Sequence, residues 1–89
     1  MPDPAQTDAT VPPRIRLLGK PGCHLCDEAR AVVARVAADL GIGWVEDSVL
    51  EDPDLMQRYG EQIPVTFVDG RQHDYWRVDE TRLRAALQD

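Results

Sequence analysis

Between Cys23 and Gly41 the apolar residues are Leu25, Ala29, Val32, Val33, Val36, Ala37 and Leu40. Steps of three and four place them on one face of a helix, and Gly41 is a stop signal. Ahead of this helix, Arg14–Lys20 alternates arginine with isoleucine and leucine and ends at Gly19, which predicts a short strand. Pro21 and Gly22 turn the chain between the two. Ile42–Val49 predicts a second strand, interrupted by Gly43 and Asp47. Glu51–Gly60 has the marks of a short helix, with Asp52 as cap, Pro53 at the first position and Gly60 as terminator. Pro64–Gly70 is a β-branched run closed by Asp69–Gly70, a strong hairpin signal, and Arg71–Val78 is the returning strand. Asp79 caps a last helix ending at Leu87, with Leu83, Ala86 and Leu87 facing inward. The order β-α-β-α-β-β-α predicts an α/β fold. A right-handed βαβ unit supplies parallel strands and the hairpin adds an antiparallel edge, giving a four-stranded mixed sheet with helices on both faces.

Residues 1–13 break this pattern. Four prolines, small polar residues and two aspartates predict a disordered arm, which leaves 14–89 as the single domain. Eighty-nine residues allow one modest core. Sixteen acidic against ten basic side chains give a net charge of −6, which argues against nucleic acid or an anionic membrane as partner. No run of 18 apolar residues is present, and the acidic, proline-bearing N-terminus lacks the basic and apolar stretches of a signal peptide. The expected location is cytoplasmic, where thiols stay reduced.

In that compartment the chain's two cysteines change the picture. Cys23 and Cys26 stand three positions apart with His24 and Leu25 between them. A bridge closing so small a loop removes little entropy from the unfolded chain, so a Cys23–Cys26 disulfide would serve chemistry rather than stability. Cys23 lies at the start of the long predicted helix, where free amides and the positive end of the dipole favour a thiolate. Lys20 adds a cation nearby, and His24, if charged, stabilises the same thiolate or else is an exposed first-turn residue. Asp27 and Glu28 stabilise the helix start but oppose the thiolate. Two other readings stand beside a redox pair. Cys23, Cys26, His24 and His73 are candidate zinc ligands, although the second short-spaced pair of a zinc site is missing. His73, alone on a hairpin strand, reads more simply as exposed surface. The third reading is a binding module that kept the fold without turnover.

Lys20, the sequence Cys23–His24–Leu25–Cys26, the tripeptide Ile63–Pro64–Val65 and the Asp-Gly hairpin before a terminal helix together resemble the glutaredoxin branch of the thioredoxin fold. The resemblance spans residues 14–87. It implies a thiol–disulfide oxidoreductase in which Cys23 attacks a substrate disulfide and Cys26 resolves the mixed disulfide. It implies a cis peptide before Pro64, with Ile63 and Pro64 shaping the substrate groove and Leu25 on its apolar rim. Arg77 and Asp79 are candidate substrate contacts, each with a plainer reading as a solvated strand residue and a helix cap.

One stretch departs from that family's pattern. Where glutaredoxins carry a glycine pair that holds glutathione, this chain has Tyr75–Trp76–Arg77–Val78; Trp76 reads as a contact surface or as core, and core is the expectation. Glutathione binding is therefore not carried over by the resemblance. The expectation is a monomer without metal or tightly bound cofactor. Glutathione or another low-molecular-weight thiol is a candidate co-substrate. Its partners would be a protein or small-molecule disulfide and a thiol or reductase that donates electrons.

Overall fold

The computed structural model describes residues 13–88; the arm expected over 1–13 lies, Pro13 apart, outside the described residues. Strand β1 (Ile15–Gly19) runs through the middle of the domain and is followed by helix α1 (His24–Leu40). Strand β2 (Trp44–Ser48) leads through a 3-10 turn (Val49–Glu51) into helix α2 (Pro53–Tyr59). Strands β3 (Val65–Val68) and β4 (Arg71–Tyr75) form the hairpin, and helix α3 (Glu80–Leu87) closes the domain. The sheet order is β2-β1-β3-β4. β1 pairs parallel with β2 and antiparallel with β3, and β3 pairs antiparallel with β4. Among the described residues, no helix is long and apolar enough to cross a membrane.

Alternation along β1 sorts the core into two layers. Ile15 packs with Val33, Val36, Ala37, Val68, Leu83 and Leu87, joining the sheet to α1 and α3. Leu18 turns to the opposite face, where it packs with Val49 and Val65 and is covered by Leu55 and Tyr59 of α2. Helices therefore lie on both sheet faces. α1 ends where Gly41 takes a left-handed φ of 67° and its amide reaches Ala37 O. Asp52 and Asp79 cap α2 and α3 through their side chains, as the sequence predicts. Asp69 (φ 52°) and Gly70 (φ 83°) make the hairpin turn with two left-handed residues.

The returning strand is shorter than expected. β4 stops at Tyr75 rather than Val78 because Trp76 adopts a left-handed φ of 64°, which no strand accommodates. The expectation that Trp76 belongs to the core is overturned: the residue is 53% exposed.

Candidate active site

The cysteines stand at the carboxyl end of β1, where Pro21–Gly22 turns the chain into α1. Cys23 is the N-cap of α1 in extended conformation, and its sulfur accepts the amide N–H of Cys26 at 3.2 Å. This is the position of an ordinary Ser or Asp cap occupied by sulfur, and such a bond stabilises negative charge on Sγ. Cys23 is part-exposed and Cys26 fully buried; both thiols are free. Burial, and next the hydrogen bond its thiol gives to Cys23, push the Cys26 thiol up to about 11, while the backbone amide of Lys20 works in the other direction. The two sulfurs are thus unlike: one reaches solvent at a helix terminus, and the other is held protonated beneath it.

Gly19 makes room for the buried sulfur. A methyl group added there would lie 2.9 Å from Cys26 Sγ. That requirement escaped the sequence reading, where Gly19 marks only the end of a strand.

Lys20 is exposed and lines a pocket with Arg30, Glu46 and Glu51. His24 is exposed on the first helical turn. The first-turn acids, expected to oppose a thiolate, both face arginines. Asp27 pairs with Arg30 at 2.8 Å, and Arg30 also forks onto Glu46 at 2.7 Å. Glu28 lies 3.9 Å from Arg77.

The Ile63–Pro64 peptide is cis, and Pro64 is buried. Leu25, Ile63 and Arg77 meet in one groove together with Tyr75 and Trp76. Asp79 does not line this groove; its carboxylate accepts Arg82 N at 3.1 Å, the cap reading. Trp76 is held from three directions. Its amide donates to Pro64 O at 2.8 Å and Gln62 O at 3.2 Å, and its indole Nε1–H donates to Glu61 O at 3.0 Å. A left-handed backbone at a bulky residue costs on the order of 1–3 kcal/mol, which these bonds offset. Nothing in the sequence signals this: a left-handed residue is foreshadowed by Gly or Asn, and here a tryptophan fills the position.

His73, expected on the surface, is half-buried, with Nε2 enclosed and without a hydrogen-bond partner among the described residues. It sits where the pairing of β3 with β4 shifts between Thr66 and Phe67, so the irregularity turns the ring inward. No group of three or more His, Cys, Asp or Glu side chains able to hold a metal ion is found among the described residues.

Comparison with known proteins places this geometry. Residues 14–88 match the model of the Glutaredoxin-like domain (DUF836). The chain belongs to this glutaredoxin-like family. An uncharacterized protein of Mycobacterium tuberculosis, Rv0508, is 36% identical over 80 residues, covering 84% of this chain and 82% of the relative. A structural-genomics crystal structure from X. campestris superposes with a TM-score of 0.68 at 32% identity, covering 82% of this chain and 93% of its own. Protein Ne2328 of Nitrosomonas europaea gives 0.73 at 25% identity, covering 88% and 95%. A thioredoxin of Fasciola hepatica, at 16% identity and a TM-score of 0.57, shares the fold, over 93% of this chain and 86% of its own. The family's thioredoxin-like architecture is the one read from the sequence. In this glutaredoxin-like chain the Cys23–Cys26 pair stands at the start of α1.

Proposed function

We propose that this glutaredoxin-like protein is a cytoplasmic thiol–disulfide oxidoreductase. The observation that carries the reading is the inequality of the two sulfurs: a part-exposed Cys23 at a helix terminus, accepting an amide hydrogen bond, above a buried Cys26 whose thiol keeps its proton. Dithiol exchange needs that division of labour, because the attacking group must be a thiolate while the second thiol waits.

In the forward half-reaction the Cys23 thiolate attacks one sulfur of a substrate disulfide. A bond forms between Cys23 Sγ and that sulfur, and the second substrate sulfur leaves as a thiolate. Cys26 then gives up its proton, and its sulfur attacks Cys23 Sγ and expels the first substrate thiolate. The substrate gains two electrons and two protons, and the chain's dithiol becomes the Cys23–Cys26 disulfide. A second dithiol, or two molecules of a low-molecular-weight thiol such as glutathione, returns the chain to its reduced form. The amides at the helix start serve the nucleophile, with Cys26 N–H donating to Cys23 Sγ, and Lys20 contributes its backbone amide to Cys26; His24, exposed on the first turn, is the candidate for a further charge near Cys23. Ile63 shares a groove with Leu25, the residue next to Cys26 in the chain.

The test is turnover of a protein disulfide with a dithiol donor. The native chain is expected to reduce it catalytically and Cys23→Ser to lose at least about a hundredfold, in line with loss of a nucleophile. Equal rates for the native chain and Cys23→Ser would overturn the reading. One tightly held zinc per chain, lost on replacement of either cysteine, would do the same.

A further inference from the structure

The groove beside the cysteines is more elaborate than disulfide exchange by itself requires. It is an open groove of about 530 Å³ lined by Leu25, Ile63, Tyr75, Trp76 and Arg77. Leu25 lies between the two cysteines in sequence, and Ile63 precedes the cis Pro64, so the groove is continuous with the reactive end of α1. Two aromatic residues are exposed, Tyr75 at 48% and Trp76 at 53%, their rings packed edge to face at 5.0 Å between centroids. They are not loosely placed. Trp76 occupies its left-handed conformation, tied by its amide and its indole to the segment carrying the cis proline. A bulky residue held in an unfavoured conformation with its ring in water points to something that covers the ring. The rim complements this apolar floor with one guanidinium, Arg77, which is 77% exposed and no nearer than 3.9 Å to its partner carboxylate, Glu28.

We propose that this groove is a specificity subsite for polypeptide disulfides. It takes an apolar side chain, aromatic or long aliphatic, adjacent to the cysteine whose sulfur Cys23 attacks, and Arg77 meets a carboxylate on the same segment. The proposal rests on the reductase reading above and names its substrate class. Glutathione fits the groove poorly. It carries two carboxylates and an ammonium group but no apolar side chain, so it would leave the aromatic walls uncovered and set its charges against them.

The test uses the intact chain and two synthetic peptide disulfides that differ only in Phe or Ser beside the attacked cysteine, both with a Glu in reach of Arg77. The Phe peptide is expected to be reduced with kcat/KM about tenfold higher, the usual discrimination of one apolar contact, expressed mainly in KM. Trp76→Gly suits the left-handed backbone, so the fold is retained while the ring is lost. In that variant the Phe-to-Ser ratio is expected to fall toward one, and Trp76→Phe is expected to restore part of it. A ratio of one in the native chain, or one that Trp76→Gly leaves intact, overturns the proposal, as does reduction of a glutathione mixed disulfide as fast as the Phe peptide. A second readout needs no turnover. The same peptides with serine in place of cysteine are titrated against the indole N–H signals, and only the Phe peptide is expected to move that of Trp76 while leaving Trp44 in place. If the Trp76 signal responds in this way but neither disulfide is reduced, the reductase reading fails and the subsite stands. If both are reduced equally and the signal is still, the reductase stands and the subsite falls.

Discussion

Gly19 shows how narrowly the site is built at the residue scale. A Cβ there would lie 2.9 Å from Cys26 Sγ and 3.3 Å from Cys26 Cβ, and Cys26 is fully buried. Gly19→Ala is expected to destabilise the domain by about 1–3 kcal/mol, the usual cost of overpacking, read as a lowered urea midpoint. Cys26 carries a second consequence. Burial, and next its bond to Cys23, disfavour the charged form and push its folded thiol up to about 11 from an ordinary 9.0. The folded state therefore keeps a proton that the unfolded chain gives up first. This stability is full below pH 9 and is lost as pH rises from 9 toward 11, by on the order of 2–3 kcal/mol. Urea midpoints of the reduced protein across that window are expected to fall steeply, and those of Cys26→Ala to fall less.

Elements differ in how much of them the sequence disclosed. Both short helices announce themselves by local chemistry: Asp52–Pro53 opens α2, and Asp79 opens α3 with its carboxylate on Arg82 N. Asp79→Ala is expected to cost about 1 kcal/mol in the same urea assay, as removal of a cap does. The cysteine pair was legible for the same reason, since three residues at a helix start place both sulfurs by local geometry alone. The groove was not. Its walls come from α1, the segment before β3, and the end of β4, and it exists because Trp76 turns left-handed where an alternating pattern would continue the strand. Tyr75–Trp76–Arg77–Val78 holds no glycine to betray the break. His73 escaped for a related reason: the shift in pairing that turns it inward is set by the partner strand. The cis form of the Ile63–Pro64 peptide was read from a family resemblance rather than from physical chemistry, and it is the isomer found.

Across the whole molecule the two sheet faces are closed by different means. α2 is held chiefly by apolar contact, whereas α1 and α3 are also joined by a charge network. Glu80 accepts from Arg35 at 2.6 Å and from Arg84 at 2.8 Å, and Arg84 reaches Asp39 at 2.7 Å. At the opposite end of α3, Arg14 pairs with Asp69 and donates to Leu87 O, tying β1, the hairpin turn and the last helix together. The arginines hold the Glu80 carboxyl down to about 2 from an ordinary 4.5, the hydrogen bond from Arg35 contributing most. On acidification the unfolded chain binds this proton before the folded one does. The contribution is therefore complete above about pH 4.5 and drains away as pH falls toward 2. Glu80→Gln is expected to flatten that part of the pH–stability curve, and salt to weaken it, since these groups are near solvent. An unchanged acid limb in Glu80→Gln would show that the network does not hold the helices.

On the proposed reading Cys23 attacks the substrate disulfide and Cys26 resolves the mixed disulfide. The most direct test is to mix the reduced Cys26→Ser protein with a peptide disulfide and weigh the products. A mixed disulfide that accumulates on Cys23 and persists, where the native chain passes on to its internal disulfide and Cys23→Ser forms no adduct, is the predicted result. An adduct on Cys26 of the Cys23→Ser protein at a comparable rate, or none on Cys23, would contradict it.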